Sequence, residues 1–133
     1  MTHFEKQFII SVWKKITFEA YIRPNGHNEF REFLSSLPDK DARKVLYTLD
    51  AISEVGILDA AKMKWVKRLN DDLFEVRSKL GTNIQRVIYF HVVAGRYVIT
   101  HGFTKKSQKT PITQIQHGEK IRQEFLQELR EGK

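Results

Sequence analysis

Apolar and polar residues alternate strictly over residues 15–22, with Ile16, Phe18, Ala20 and Ile22 on one side and Thr17, Glu19 and Tyr21 on the other. A period of two is that of a half-buried strand. Pro24-Asn25-Gly26 breaks the alternation, and Phe30, Phe33, Leu34 and Leu37 then recur at i, i+3, i+4, i+7, one face of a helix that Pro38 ends. A second helix is predicted from about Asp39, its N-cap, with Ala42, Val45, Leu46, Leu49 and Ile52 inward and Gly56 as terminator. Residues 57–72 show no period and read as irregular and basic. Over residues 1–14, Phe4, Phe8 and Val12 suit a short amphipathic helix, while Phe8 to Val12 also suits an extension of the first strand; the helix is the preferred reading.

Three strand-like segments follow, 73–79, 84–93 and 96–104. Ala94-Gly95 is expected to form a two-residue hairpin loop in which Gly95 takes the positive φ. That loop sets a register in which Arg86 faces Phe103, Ile88 faces His101 and Phe90 faces Ile99, with His91 on the opposite face from His101. Thr110-Pro111 supplies an N-cap and a Pro at the first helical position, and Ile112, Ile115, Phe125, Leu126 and Leu129 mark a closing helix. The order β-α-α-β-β-β-α predicts a single α+β domain over residues 1–133, with an antiparallel sheet, two N-terminal helices and a closing C-terminal helix.

Composition narrows the chemistry. The 133 residues include no Cys, which excludes thiol catalysis, disulfides and Cys-based zinc sites and fits a reducing, cytoplasmic setting. The start of the chain, with Glu5 and Lys6 ahead of a short apolar patch, does not read as a signal peptide, and no apolar run suits a membrane span. The net charge of +7 is concentrated: residues 62–109 hold eleven Lys or Arg against three acids, a net of +8, and the rest of the chain is at −1. Such an asymmetry points to a polyanion or an acidic protein partner.

The five histidines are scattered and no pair has helical metal-ligand spacing; nor is there a Gly-rich phosphate loop or a nucleophile elbow. No metal, small-molecule cofactor or nucleotide cofactor is expected. The candidates are basic residues on strands. Leu73, Glu75, Arg77 and Lys79 share one face, and Arg86 interrupts the apolar set of its own strand. An even-numbered turn at residues 80–83 puts Arg77 and Arg86 on one face, with His101 on the same face of the next strand. Two guanidinium groups and an imidazole suit phosphodiester cleavage in RNA, where charge develops on phosphorus oxygens and a 2′-hydroxyl must lose its proton. His101 or Glu75 would be the base, with the neighbouring Arg residues lowering the His101 pKa. The competing structural reading is a buried Arg86 paired with Glu19, Glu75 or a C-terminal carboxylate. Lys105 and Lys106, just after the last strand, would hold phosphate or protonate the leaving oxygen.

Leu73-Phe-Glu-Val-Arg77, Gln85-Arg86-Val-Ile-Tyr89-Phe and Thr100-His101-Gly-Phe103-Thr-Lys105-Lys106-Ser-Gln-Lys109-Thr-Pro111 together resemble the RelE/ParE toxin superfamily, and within it the HigB-like, phage-derived group of type II toxin–antitoxin systems. The likeness runs over about residues 15–130. It implies a RelE-like fold and a ribosome-dependent messenger-RNA endonuclease that stops translation and is held inactive by a cognate antitoxin. It also implies that the working groups are basic residues on the second and third strands and just after the fourth, positions matched here by Arg77, Arg86 and the Lys105/Lys106 pair. His101 joins Arg77, Arg86 and Lys106 in the expected catalytic set on its strand position alone, and Lys67, Arg68, Lys79, Lys105 and Lys109 are expected to bind RNA through their charge. The chain departs from the resemblance at Glu75, where RelE-type members often carry a base, and in having no Tyr near Ile112. ParE-type members are the alternative: they poison DNA gyrase by binding and cleave no RNA.

Overall fold

The computed structural model describes residues 14–132. The helix expected over the first 14 residues lies outside them, apart from Lys14. In chain order the elements are β1 (Thr17–Ala20), α1 (Glu29–Ser36), α2 (Asp39–Val55), α3 (Ile57–Lys62), β2 (Val66–Arg68), β3 (Leu73–Leu80), β4 (Asn83–Val93), β5 (Arg96–Thr104) and α4 (Ile112–Arg130). The class is α+β, built on one five-stranded sheet of order β1-β5-β4-β3-β2. Among the described residues no helix is long and apolar enough to cross a membrane.

The sheet is mixed. Strands β2 to β5 form an antiparallel meander, but β1 adds to β5 in parallel. A fully antiparallel sheet was the expectation. The difference arises because β1 is not hairpin-linked to its neighbour: three helices carry the chain to the far edge, and the meander then returns to β1 from the other side. The segment expected to be irregular holds α3 and β2, each too short to show a period.

Helices α1 to α3 cover one face of the sheet. Phe30, Val45, Leu49, Ile52 and Ala60 pack there with Val66, Val76, Val87, Tyr89 and Ile99. Helix α4 covers the other face, where Leu73, Ile88, Phe90 and Val98 meet Phe125. β4 is buried on both faces, as its nearly continuous apolar run requires. Several residues expected in the core lie outside it: Ile22 follows the end of β1, Leu46 is on the rim of α2, and Ile112 and Leu129 stand at the two ends of α4, all exposed. Ile121 and Gly118 take the inner face of α4 instead.

The β4–β5 register follows the expectation at Arg86–Phe103 and Ile88–His101 and then slips by one, so that Phe90 faces Val98 and not Ile99. The irregularity falls at Thr100, which shares with His101 the space opposite Ile88 and approaches its carbonyl at 3.3 Å. His91 pairs with Tyr97, on the opposite face from His101 as expected. In the hairpin the left-handed residue is Ala94, with φ 47°, and not Gly95. Gly95 is needed for space, since a Cβ there would lie 2.9 Å from the Lys15 carbonyl oxygen.

Neither expected side-chain cap forms. Pro38 occupies the N-cap of α2 and Pro111 that of α4, both without a side-chain cap hydrogen bond. Thr110 is engaged elsewhere, beneath the sheet.

Candidate functional site

The two-residue turn at Gly81-Thr82 makes Arg77 and Arg86 register partners, so both project toward the face that carries α4. Glu75 lies on the same face of β3, and the short β2 places Lys67 opposite it. Because β2 begins only at Val66, β3 has no partner on that side from Arg77 onward except Trp65, whose carbonyl accepts the Arg77 amide at 2.8 Å, while its other side stays paired to β4. The sheet therefore has an open corner, and the strand arginines stand at it.

Glu75 is the hub of this corner and is fully buried. One carboxylate oxygen, Oε2, accepts from Arg86 Nη1 and from Arg77 Nε at 3.2 Å. The other, Oε1, accepts from the Thr110 hydroxyl at 2.5 Å. Arg86 also lies 3.1 Å from Thr110 Oγ1 and 3.4 Å from the Gln108 carbonyl. A buried charge needs such pairing to be tolerable. Arg86 is thus the buried, Glu75-paired residue of the structural reading, and its Nε is left without a partner. Burial lowers the Arg86 pKa, Glu75 opposes this, and the Arg77 charge adds to it.

Arg77 is different, because a third of its side chain remains exposed. It lines a cavity of about 430 Å³ together with Lys44, Tyr47, Trp65, Lys79 and Lys105. A second cavity of about 440 Å³ holds Phe103, Lys106, Lys109 and Gln114. Arg86 and Lys105 line both, and among the described residues no acid lines either. Two adjoining basic recesses with aromatic walls result. The Lys105 pKa is lowered by partial desolvation and by the nearby Arg86, Arg77 and Lys67 charges, against the pull of Glu75. An ammonium so placed gives up its proton more readily than an ordinary Lys.

His101 does not join the two arginines. It is buried against α4, with Nε2 2.9 Å from Gln114 Oε1 and Nδ1 2.9 Å from Thr100 Oγ1. Its ring meets that of His117 edge to face, and His117 in turn contacts Glu29 at 2.7 Å. Its pKa is lowered to about 4, as expected in direction, but burial is the main cause, followed by the opposing Gln114 hydrogen bond; Arg77 and Arg86 are not the source. With both ring nitrogens engaged and neither cavity reaching it, His101 is placed as an interior group. Glu75 likewise has both oxygens occupied and serves to position the arginines. Arg68 turns away onto Asn70 and Asp71.

Sequence reasoning assigned Thr110 to a helix cap and passed over Lys44, Tyr47, Lys64 and Trp65. Lys44 and Tyr47 sit at i, i+3 on the polar side of α2, so the outward face of that helix was the available signal. Trp65 fell in the segment without a period.

Residues 32–123 match the family described as Phage derived protein Gp49-like (DUF891). The chain belongs to the phage-derived Gp49-like family. This is a family of RelE-like, toxin-type proteins of toxin–antitoxin systems. The Gp49-like region holds Glu75, Arg77, Arg86, Lys105 and Thr110, and so contains the whole buried cluster. No curated protein matches the chain.

Proposed function

We propose that this Gp49-like protein is the HigB-like toxin of a type II toxin–antitoxin pair, has a RelE-type arrangement, and cleaves ribosome-bound messenger RNA without a metal. The observation that carries the reading is the Arg86–Glu75–Arg77 cluster opening onto two recesses lined by basic residues and, among the described residues, by no acid. A phosphodiester seated there meets the exposed Arg77 guanidinium and Lys105. Attack of the RNA 2′-hydroxyl on the adjacent phosphorus, its proton passing to solvent water because Glu75 and His101 are both engaged, expels the 5′-oxygen and leaves a 2′,3′-cyclic phosphate and a 5′-hydroxyl. Arg77 stabilises the charge on the non-bridging oxygens by contact, and Arg86, buried behind it, holds Glu75 and adds its field. Lys105, its proton loosened by neighbouring cations, protonates the departing oxygen, and Lys106 and Lys109 hold the flanking phosphates. An acidic antitoxin segment covers the same basic surface and blocks it; a complex whose affinity is insensitive to salt would contradict this.

Growth after induction tests the reading. Wild type is expected to arrest growth and Arg77→Ala to relieve the arrest at equal folded yield. Full toxicity of Arg77→Ala would contradict the site. Intact transcripts alongside trapped or broken DNA would favour the gyrase-poisoning alternative.

A further inference from the structure

The cavity beside Arg77 has a feature that phosphate binding does not require. Its wall is aromatic as well as basic: Trp65 stands at the open corner of the sheet and Tyr47 projects from α2, with Lys44 Nζ 5.2 Å from the Tyr47 ring centroid. Tyr47 is exposed and Trp65 is half-buried, with one side packed on the core. The backbone holds Trp65 firmly. Its amide donates to the Ala60 carbonyl at 2.9 Å, its carbonyl accepts from Arg77, and Lys64 before it takes a left-handed conformation with φ 64°. A non-glycine residue there is strained, and such strain persists where the surroundings over-determine it. The Trp65 backbone is therefore held against that of Arg77, and the indole it carries lines the same cavity as the Arg77 guanidinium.

We propose that this cavity is a nucleobase subsite, in which the base next to the scissile phosphate stacks on Trp65 while its phosphate lies on Arg77 and Lys105. The proposal rests on the RNA-cleaving reading and deepens it, because it names the residue that holds the substrate base. About 430 Å³ lies within the range of small-ligand sites, roughly 300–1,000 Å³, and admits a planar base with its sugar. A π-face beside a row of cations is the arrangement by which single-stranded nucleic acid is bound. An acidic peptide would use the cations and leave the aromatic face idle.

The chain has two tryptophans, Trp13 and Trp65, so Trp13→Phe leaves Trp65 as the one indole, read selectively by exciting at the red edge where tyrosine does not absorb. The probe is a 2′-O-methyl tetranucleotide, which cannot be cleaved, added at low salt. Trp65 emission is expected to be quenched as the oligonucleotide saturates, and a tetra-aspartate peptide is expected not to quench it. In parallel, anisotropy of a labelled oligonucleotide is expected to show about tenfold weaker binding for Trp65→Ala, with most of the loss restored by Trp65→Phe. The fluorescence arm leaves position 65 unaltered and holds even where Trp65→Ala does not fold. Bound oligonucleotide without quenching, or equal quenching by the peptide, would overturn the subsite. Unchanged affinity in Trp65→Ala with weakened affinity in Arg77→Ala would overturn it while leaving the phosphate site standing. Unchanged affinity in both variants would overturn the subsite and the RNA-cleaving reading together.

Discussion

Glu75 and Arg86 form a buried ion pair behind the open corner of the sheet, with side-chain exposures of 0% and 1%. Charges so buried are tolerated only when paired, and here Thr110 and Arg77 complete the pairing of Glu75. Position and stability are linked: the groups that aim Arg77 at the cavity also neutralise Arg86.

Glu75→Gln should therefore destabilise strongly. Removing one member of a buried pair costs about 3–5 kcal/mol, because the other charge is left uncompensated. Thr110→Val should cost less, about 1–2 kcal/mol, for the lost hydrogen bonds. Urea denaturation of the two variants beside wild type gives both numbers, and a smaller loss for Glu75→Gln than for Thr110→Val would contradict the assignment of Glu75 as hub.

Arg77→Ala and Arg86→Ala should part company. Arg77 is one-third exposed, so its loss is expected to abolish toxicity with a stability change near 1 kcal/mol, whereas Arg86→Ala abandons a buried carboxylate and loses folded protein as well. Thermal melts alongside growth assays separate the two effects.

The buried imidazole gives a pH dependence. His101 has its pKa lowered from 6.5 to about 4, so between those values the unfolded chain binds a proton that the folded chain refuses. Stability from this group is complete above about pH 6.5, falls as pH drops toward 4, and is absent below that, a change on the order of 3 kcal/mol. Urea titrations at pH 7.5, 6 and 5 should show the decline for wild type and a flatter profile for His101→Gln.

Binding of single-stranded RNA should weaken steeply with salt. Each phosphate neutralised contributes about 0.7 to the slope of log affinity against log salt. Lys105→Ala is expected to reduce that slope by about this amount, while Arg68→Ala, which pairs with Asp71 away from the cavities, is expected to leave it unchanged.

Most of the fold could be read from periodicity, because β3, β4, β5, α1 and α2 are long enough to show one. Arg77 and Arg86 fell on one face because a two-residue turn and strict alternation leave no other result. The parts that resisted reading are those decided by contacts distant in sequence. The parallel pairing of β1 depends on a crossover of three helices, and the slip at Thr100 depends on packing beneath α4. His101 followed the same logic: strand alternation put it on the arginines' face, but α4, through Gln114 and His117, encloses it apart from them. The hairpin was read in the right place with the wrong residue left-handed, since the need at Gly95 is for space against Lys15 and not for a positive φ.

The central claim is that the corner formed by Glu75, Arg77, Arg86 and Lys105 cleaves translated RNA. Primer-extension mapping of transcripts after induction, in wild type and in Arg77→Ala at matched expression, tests it directly. Discrete 5′ ends confined to translated regions in wild type and absent from Arg77→Ala are the predicted result. Intact transcripts in growth-arrested wild-type cells, or the same ends in the Arg77→Ala variant, would contradict it.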